Sequence, residues 1–467
     1  MEQATDSKFV NRLVQGPLSG SFTIQEDDPL KDVRSAARQQ FLSTGLPGPK
    51  DERWKHTGWE HLDKYDFEII TAEKRVLPSA ETILQCEVPD FDTELMALYN
   101  GWYVGNGSNL KQYPGGMIAG SILQALQEMP DLVLPWFNKL AANRKDGFVY
   151  LNRVMANDGL FIYMPKGATH DKPVQLVNII NHNNPVLIQN MNLIILEPES
   201  ELTLVHCDDS HNHEPSLSNT VTEVFMGQES HLYHYKLQNL NNTATLFNTT
   251  FFRQDRGAQL KSYAISLNGG MIRNDLNTEL AGKESHADLY GLYLMDKEQH
   301  CDNRVFVDHA VADATSNELY KGILDDHATA VFNGHILVRR DAQHTQAYQN
   351  NRNLQLTDKA HVYTQPFLEI YADDVRCSHG ATVGQLDEDA MFYIQSRGIS
   401  EHNARMLLMY AFAAEVVRQI HLEPLHRRVD DLVKKRLRGE LAICDQCVLH
   451  CSNQEKQYDF QIDLSKI

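Results

Sequence analysis

No stretch of this 467-residue chain approaches the ~18 consecutive apolar residues that a bilayer-spanning helix requires. The amino terminus, MEQATDSKFVNRLV, lacks the apolar core of a secretory signal. Cysteine is scarce: there are seven, an odd number, without the spacing of a secreted disulfide framework. Positive charge is scarce as well. The 62 acidic residues outnumber 43 basic ones and leave a formal charge of −19, which argues against nucleic acid or an anionic membrane surface as the main partner. Catalytic signatures are missing too: no GxSxG elbow, no Walker A loop, no HExxH and no credible GxGxxG after a strand. Without a nucleotide-binding motif the chain cannot drive an ATP-dependent task alone. The expectation is a cytoplasmic protein with reduced thiols that is not itself an enzyme. With 42% hydrophobic and 22% charged residues it has enough apolar material for a sizeable core.

What is present divides the chain into four regions. Residues 1–150 read as a mixed, largely helical domain. Asp28-Pro29 opens a helical pattern carried by Leu30, Val33, Ala37 and Phe41 and stopped by Gly45. Further helical patterns cover 117–128 and 136–143. Residues 151–385 change to short alternating runs such as GLFIYM, VQLVNII, ELTLVH and AVFNGHILV, bounded by Asn, Asp, Gly or Pro, as strands are. A polar turn ending in a small residue recurs at Ser200, Ser230, Ala258, Ser285 and Ser316, in steps of 30, 28, 27 and 31 residues. Related turns follow at Ala328 and Ala360. A drifting period near 29 in an all-strand region favours a β-solenoid over a sandwich, whose turn signals come more often. Residues 386–440 return to helical periodicity, with Asp387 and Ser400 as N-caps, Gly398 and Gly439 as stops and Pro424 opening the last helix. These helices read either as a cap over the open solenoid edge or as a docking module. Residues 441–467 form a polar tail containing cysteines.

Four groups of residues carry the soft ligands that zinc or iron prefer. Cys377 and His379 stand two apart on a strand, hence on one face, with Asp373 and Asp374 nearby. They are two ligands of a site that needs more, or a buried cysteine beside a hydrogen-bonded histidine. Cys444, Cys447, His450 and Cys451 have a ligand-like spacing in the tail, although adjacent His450 and Cys451 are awkward for one ion. His206 and Cys207, with Asp208, Asp209, His211 and His213, read as a solvated polar loop, and His300-Cys301 reads similarly.

The segment 372–384, ADDVRCSHGATVG, lies within a longer run, 318–419, that resembles the SufB/SufD family of iron–sulfur cluster assembly scaffolds, and its SufD side in particular. FNG, NRNLQL and LEIYADDV with CSHGA carry the likeness. It extends weakly through DGLFIYMPKG and NLIILEPESELTLVH to ERWKHT near the start. The resemblance implies a right-handed parallel β-helix flanked by amino- and carboxy-terminal helical domains. It implies pairing with SufB and binding of the SufC ATPase through the helices at 400–438, where Leu407, Leu408, Ala411, Glu415 and Arg418 are the candidate contacts. It also implies sulfur from a desulfurase system and a transient cluster or iron at the SufB interface, with His379, and less clearly Cys377, taking part. No tightly bound cofactor is expected, although a flavin associates with the complex in some members. A homodimer of the isolated chain stays open. The tail cysteines are not part of the family pattern.

Two other readings compete. Parallel β-helices often act on polysaccharides, and the tail cysteines would suit a metal-storing or metal-sensing protein.

Overall fold

The computed structural model describes residues 7–19, 28–78, 91–105 and 109–439. From Leu160 onward the chain alternates between two sheets. Ser216–Met226 lies in one and His231–Asn239 in the other, and the next coil, Ala244–Gln254 and Gln259–Asn268, stacks on them in parallel. Repetition builds an eleven-stranded and a ten-stranded sheet from about eight coils. Consecutive strands never pair with each other here; each pairs with the strand one coil away. The solenoid expectation therefore holds and the sandwich does not. The protein is mainly β, with helices at both ends of the chain.

The corners explain the period. Glu199, Glu229, Gly257, Glu284, Asp313 and His344 all have positive φ, between 55° and 68°. Each turns the chain into a strand of the ten-stranded sheet, and each donates its N–H to a carbonyl of the next coil, as Glu229 does to Arg256 at 2.8 Å. The residue after each, Ser200, Ser230, Ala258, Ser285, Ala314 and Thr345, is buried, which is why it is small. The fifth corner is Asp313-Ala314 rather than Thr315-Ser316. Ser316 is already on the strand Thr315–Leu324, where its hydroxyl meets His309 Nε2 at 2.9 Å. At 257 the corner residue is glycine, and a Cβ there would lie 2.4 Å from the Glu229 carboxylate, which would have to swing away.

Strand alternation sends one set of side chains into the lumen. There Leu202, Leu232, Leu260, Leu289 and their counterparts form one continuous core. Large aromatics fill the later coils by using gaps left by glycine. A Cβ on Gly322 would stand 2.1 Å from the Tyr293 ring and 2.5 Å from Asn353 Oδ1. Gly322→Ala is therefore expected to cost about 1–3 kcal/mol through overpacking, read by chemical denaturation. Gly380→Ala on the last strand, with nothing within 4 Å of its would-be Cβ, is the control. Equal shifts for the two would show that the lumen is not tightly filled there.

Both outer faces are covered. Phe9, Phe41, Trp54, Trp59 and Phe148 pack on Leu187, Leu217 and Phe247 of the eleven-stranded sheet. The segment ERWKHT lies in this seam. Thr57 Oγ1 donates to Asp302 at 2.7 Å, Arg53 pairs with Asp275, and the Arg273 guanidinium sits 3.8 Å from the centre of the Trp54 ring. Residues before 150 are not only helical. Glu94–Tyr99 pairs in parallel with Val174–Ile180, and Ile118–Ser121 pairs antiparallel to Leu160–Met164, so these strands extend the first end of each sheet. The pattern at 117–128 thus splits into that strand and the helix Ile122–Glu128, and 136–143 forms only turns and the short 3₁₀ helix Ala141–Asn143.

The carboxy-terminal helices, Glu388–Ser396, Glu401–Val417 and Glu423–Leu437, do not cap the solenoid. Met409, Ala413, Val416, Leu425 and Val429 pack sideways onto Tyr235, Tyr263, Ile265 and Leu292 of the ten-stranded sheet. Arg436 chelates Asp296 through two bonds of 2.7 Å. The apolar outer face of the sheet, Tyr235 and Tyr263 above all, draws the helices to the flank and leaves the last coil open.

Candidate functional site at the open end of the solenoid

The last coil consists of His361–Ile370 and Arg376–Gly384. Each strand has a ladder partner on one side only among the described residues. Their backbone N–H and C=O groups on the other side form a template for a further strand. Apolar side chains surround this edge: Phe367 is 53% exposed and Tyr371 59%, with Tyr363, Ile370 and Val383 also exposed. Phe367 ends an aromatic row on the outer face, with His335 at 4.8 Å and Phe306 at 5.1 Å from His335. Exposed apolar residues grouped along an unpaired edge mark an interaction surface.

Cys377 and His379 lie on the second of these strands. As their spacing predicts, they share a face, opposite Ala347 and Gln349 of the preceding coil. That face is the lumen: Ala347 belongs to the lumen core and Cys377 packs against it. Burial pushes the Cys377 thiol up, which keeps it protonated at neutral pH and disfavours it as a nucleophile. His379 is exposed because no further coil stacks on it among the described residues. Below it in the same register column lie Gln349 and then Glu318. Both are 3% exposed, and Gln349 Nε2 donates to Glu318 Oε2 at 2.8 Å. Burial raises the Glu318 carboxyl to about 8. Sequence reading passed over both residues. The available signal was Glu318 falling in phase with the inward-facing Ser316, Tyr320 and Leu324.

Asp373 and Asp374 sit in the corner before the strand, where Asp374 accepts the His344 N–H through its carbonyl and lies 3.4 Å from His344 Nε2. Among the described residues no three His, Cys, Asp or Glu side chains come close enough to hold a metal ion. Cys377 and His379 are thus an incomplete ligand pair within this chain. The cysteines and histidine at 444–451 lie outside the described residues.

Of the two other candidates, His206 to Asp209 and Cys301 are buried strand residues and His300 is half-buried on a strand, contrary to the reading of solvated loops, whereas His211 and His213 lie in an exposed bend after the strand, as that reading has it. His206, Cys207 and Asp208 are at most 3% exposed on Glu201–Ser210. His206 and Asp208 point into the lumen, where Lys236 Nζ lies 2.8 Å from Asp208 Oδ2 and 3.0 Å from His206 Nε2. The adjoining cavity holds about 20 Å³, room for one water. His300 meets Thr57, and Cys301 is buried in the lumen, its thiol pushed up to about 12. Composition could not reveal this, because a solenoid strand is covered on both faces and its polar residues satisfy one another across coils.

On the helix Glu401–Val417 and the residue after it, Leu407, Ala411 and Arg418 face outward and Leu408 is half-buried. Glu415 points inward to Lys321, whose Nζ also donates to the Phe412 carbonyl at 3.1 Å. The inward stripe is Ala404, Met409, Ala413, Ala414, Val416 and Val417. No helix among the described residues is long and apolar enough to cross a membrane.

A parallel solenoid with covered flanks and one open end agrees with what the comparisons find. Residues 178–412 match the SUF system FeS cluster assembly SufBD core domain, and residues 21–176 match the SufBD protein N-terminal region. The chain belongs to the SufBD family of iron–sulfur cluster assembly proteins. Within that family it is a SufD-type member. It is 31% identical over 407 residues to the iron–sulfur cluster assembly protein SufD of Escherichia coli, covering 86% of this chain and 92% of that protein. It is 27% identical over 431 residues to SufD of Bacillus subtilis, covering 90% and 97%. A SufBD family protein of Synechocystis is 27% identical over 420 residues, covering 88% and 92%.

Proposed function

We propose that this chain is a non-catalytic scaffold subunit of a cytoplasmic cluster-assembly complex and pairs with a SufB-type protein through its open end. The observation that carries the reading is the last coil, whose two strand edges are unpaired among the described residues, with exposed Phe367 and Tyr371 beside them. A partner solenoid placed end to end would continue both sheets by strand addition. His379, on the lumen face of the last strand, then lies at the junction. In its neutral form an imidazole nitrogen suits iron, and the partner supplies the missing ligands. Iron and the nascent cluster are cargo here, built from sulfur delivered by a desulfurase system. The outward face carrying Leu407, Ala411 and Arg418 receives a SufC-type ATPase, whose ATP-driven dimerisation moves the helices.

Co-expression with SufB- and SufC-type proteins tests this. The wild-type chain is expected to recover both on affinity purification. His379→Ala is expected to recover both equally well while cluster formation slows roughly tenfold or more, the scale typical of losing a group that holds or orients a metal. Normal cluster formation in His379→Ala removes the ligand role. Failure to recover SufB removes the pairing.

A further inference from the structure

The column beneath His379 has more order than packing alone requires. Gln349 is buried, and its amide is clamped at one end because Nε2 donates to Glu318 Oε2 at 2.8 Å. Its other end, Oε1, is buried without a hydrogen-bond partner among the described residues. A buried amide oxygen left unpaired costs free energy, which favours an arrangement of the neighbouring His379 that supplies it with a donor. His379 is the residue directly opposite Gln349 on the same face of the next strand. The facing sheet also makes way for this amide. A Cβ on Gly334 would lie 2.1 Å from Gln349 Nε2 and 2.8 Å from its Oε1, so Gly334 leaves the space that the Gln349 side chain fills. Glu318 has no charged hydrogen-bond partner, which keeps it suited to fixing an amide rather than forming an ion pair.

We infer that Gln349, oriented by Glu318, is the positioning residue for His379: its amide oxygen accepts the N–H of one imidazole nitrogen and so directs the other, unprotonated nitrogen toward the open end. A neutral histidine can offer a metal only the nitrogen that lacks the proton. The hydrogen bond made by the other nitrogen decides which one that is. The functional half of this inference rests on the proposed role of His379 in cluster assembly; the geometric half does not.

The geometric half is read in the full chain by nitrogen NMR of labelled histidine at alkaline pH, where the imidazole is neutral. The His379 signals are identified by their loss in His379→Ala. The ratio of the two ring tautomers is expected to differ about fivefold between wild type and Gln349→Leu, the ratio that one net hydrogen bond of about 1 kcal/mol sets. Gln349→Glu keeps an acceptor oxygen and is expected to retain the wild-type preference. An unchanged ratio in Gln349→Leu overturns the inference, as does a Gln349→Glu ratio that follows the leucine variant. In the co-expressed complex, Gln349→Leu is expected to slow cluster formation severalfold with partner recovery intact. A shifted ratio with undiminished cluster formation in Gln349→Leu overturns the functional half. A shifted ratio with normal cluster formation in His379→Ala upholds the positioning and overturns instead the proposed role of His379.

Discussion

Glu223→Ala is expected to destabilise the protein by about 3–5 kcal/mol, the range for removing one partner of a buried ion pair. Glu223 lies on the outer face of Ser216–Met226, beneath the amino-terminal domain. Its carboxylate accepts from Arg153 Nη2 at 2.8 Å and from the N–H groups of Asn138, Leu140 and Ala141 at 2.7, 2.7 and 3.0 Å. The two side chains are 1% and 3% exposed. Truncation leaves the Arg153 guanidinium buried with only Asn138 Oδ1, at 3.0 Å, and the Phe137 ring beside it. It also leaves three backbone donors unpaired. Burial already lowers the Arg153 pKa, and Glu223 is the group that opposes this. Glu223→Gln keeps an acceptor for part of the set and is expected to cost less. Denaturant unfolding followed by tryptophan fluorescence reads both. A loss below about 1 kcal/mol for the alanine variant, the scale of a surface pair, would show that the clamp is not closed in solution.

The second large effect is acid sensitivity traceable to single histidines. His309 is fully buried, with Nε2 2.9 Å from Ser316 Oγ, and burial alone lowers its pKa from the ordinary 6.5 to about 3. In the unfolded chain the same imidazole takes up a proton near pH 6.5, whereas the folded state refuses it until about 3. Below 6.5 the unfolded state therefore binds more protons, and stability contributed by neutral His309 is lost as the pH falls through that window. The slope is about 1.4 kcal/mol per pH unit for one group. His234, lowered to about 3 by burial and then by the Lys236 charge, acts in the same direction. Glu318 acts oppositely: its folded-state value near 8 exceeds the unfolded value, so stability from its neutral form grows as pH falls from about 8 toward 4.5. A difference measurement isolates the histidine. His309→Gln keeps a side chain able to meet Ser316 but cannot titrate. Its stability curve between pH 6.5 and 4.5 is expected to be flatter than that of wild type by about 2 kcal/mol over the interval, because the unfolded imidazole is only half protonated at the upper end. Parallel curves would mean that His309 is reached by water and protonates in place.

The parts of this molecule readable from sequence are those set by neighbours along the chain. The N-caps Asp387 and Ser400 act as expected, accepting from Ala390 N at 3.1 Å and Asn403 N at 3.3 Å. Four of the recurring small residues, Ser200, Ser230, Ala258 and Ser285, mark real corners because each fits behind one residue of positive φ. The misreadings concern contacts between segments far apart in the chain. Nothing local to Glu94–Tyr99 announces its parallel pairing with Val174–Ile180. Nothing local to HCDD at 206–209 tells a polar loop from a strand whose polar residues are matched by Asn178 and Lys236 on adjoining coils. The flank position of the helices was hidden for the same reason, since Tyr263 and Ile265 alternate with Ser262 and Ala264 and either face could have been the wet one. At the open end, spacing alone placed Cys377 and His379 on one face. It could not supply Gln349 and Glu318, which join them only through coil stacking.

The seam between the long helix and the ten-stranded sheet also has a mechanical meaning. Lys321, which holds Glu415 and the Phe412 carbonyl, lies on Thr315–Leu324. That strand is separated from the terminal strand Arg376–Gly384 by Gln346–Gln355 alone. Two strand spacings amount to about 10 Å. Hydrogen bonds run along that short path, and side chains packed to crystal-like density fill the lumen beside it, so it has little compliance. A pull on the helix would reach the rim as displacement rather than being absorbed as strain. The ten-stranded side of the open end would move while the eleven-stranded side, held by the amino-terminal domain, stayed in place. The end face would therefore tilt rather than slide.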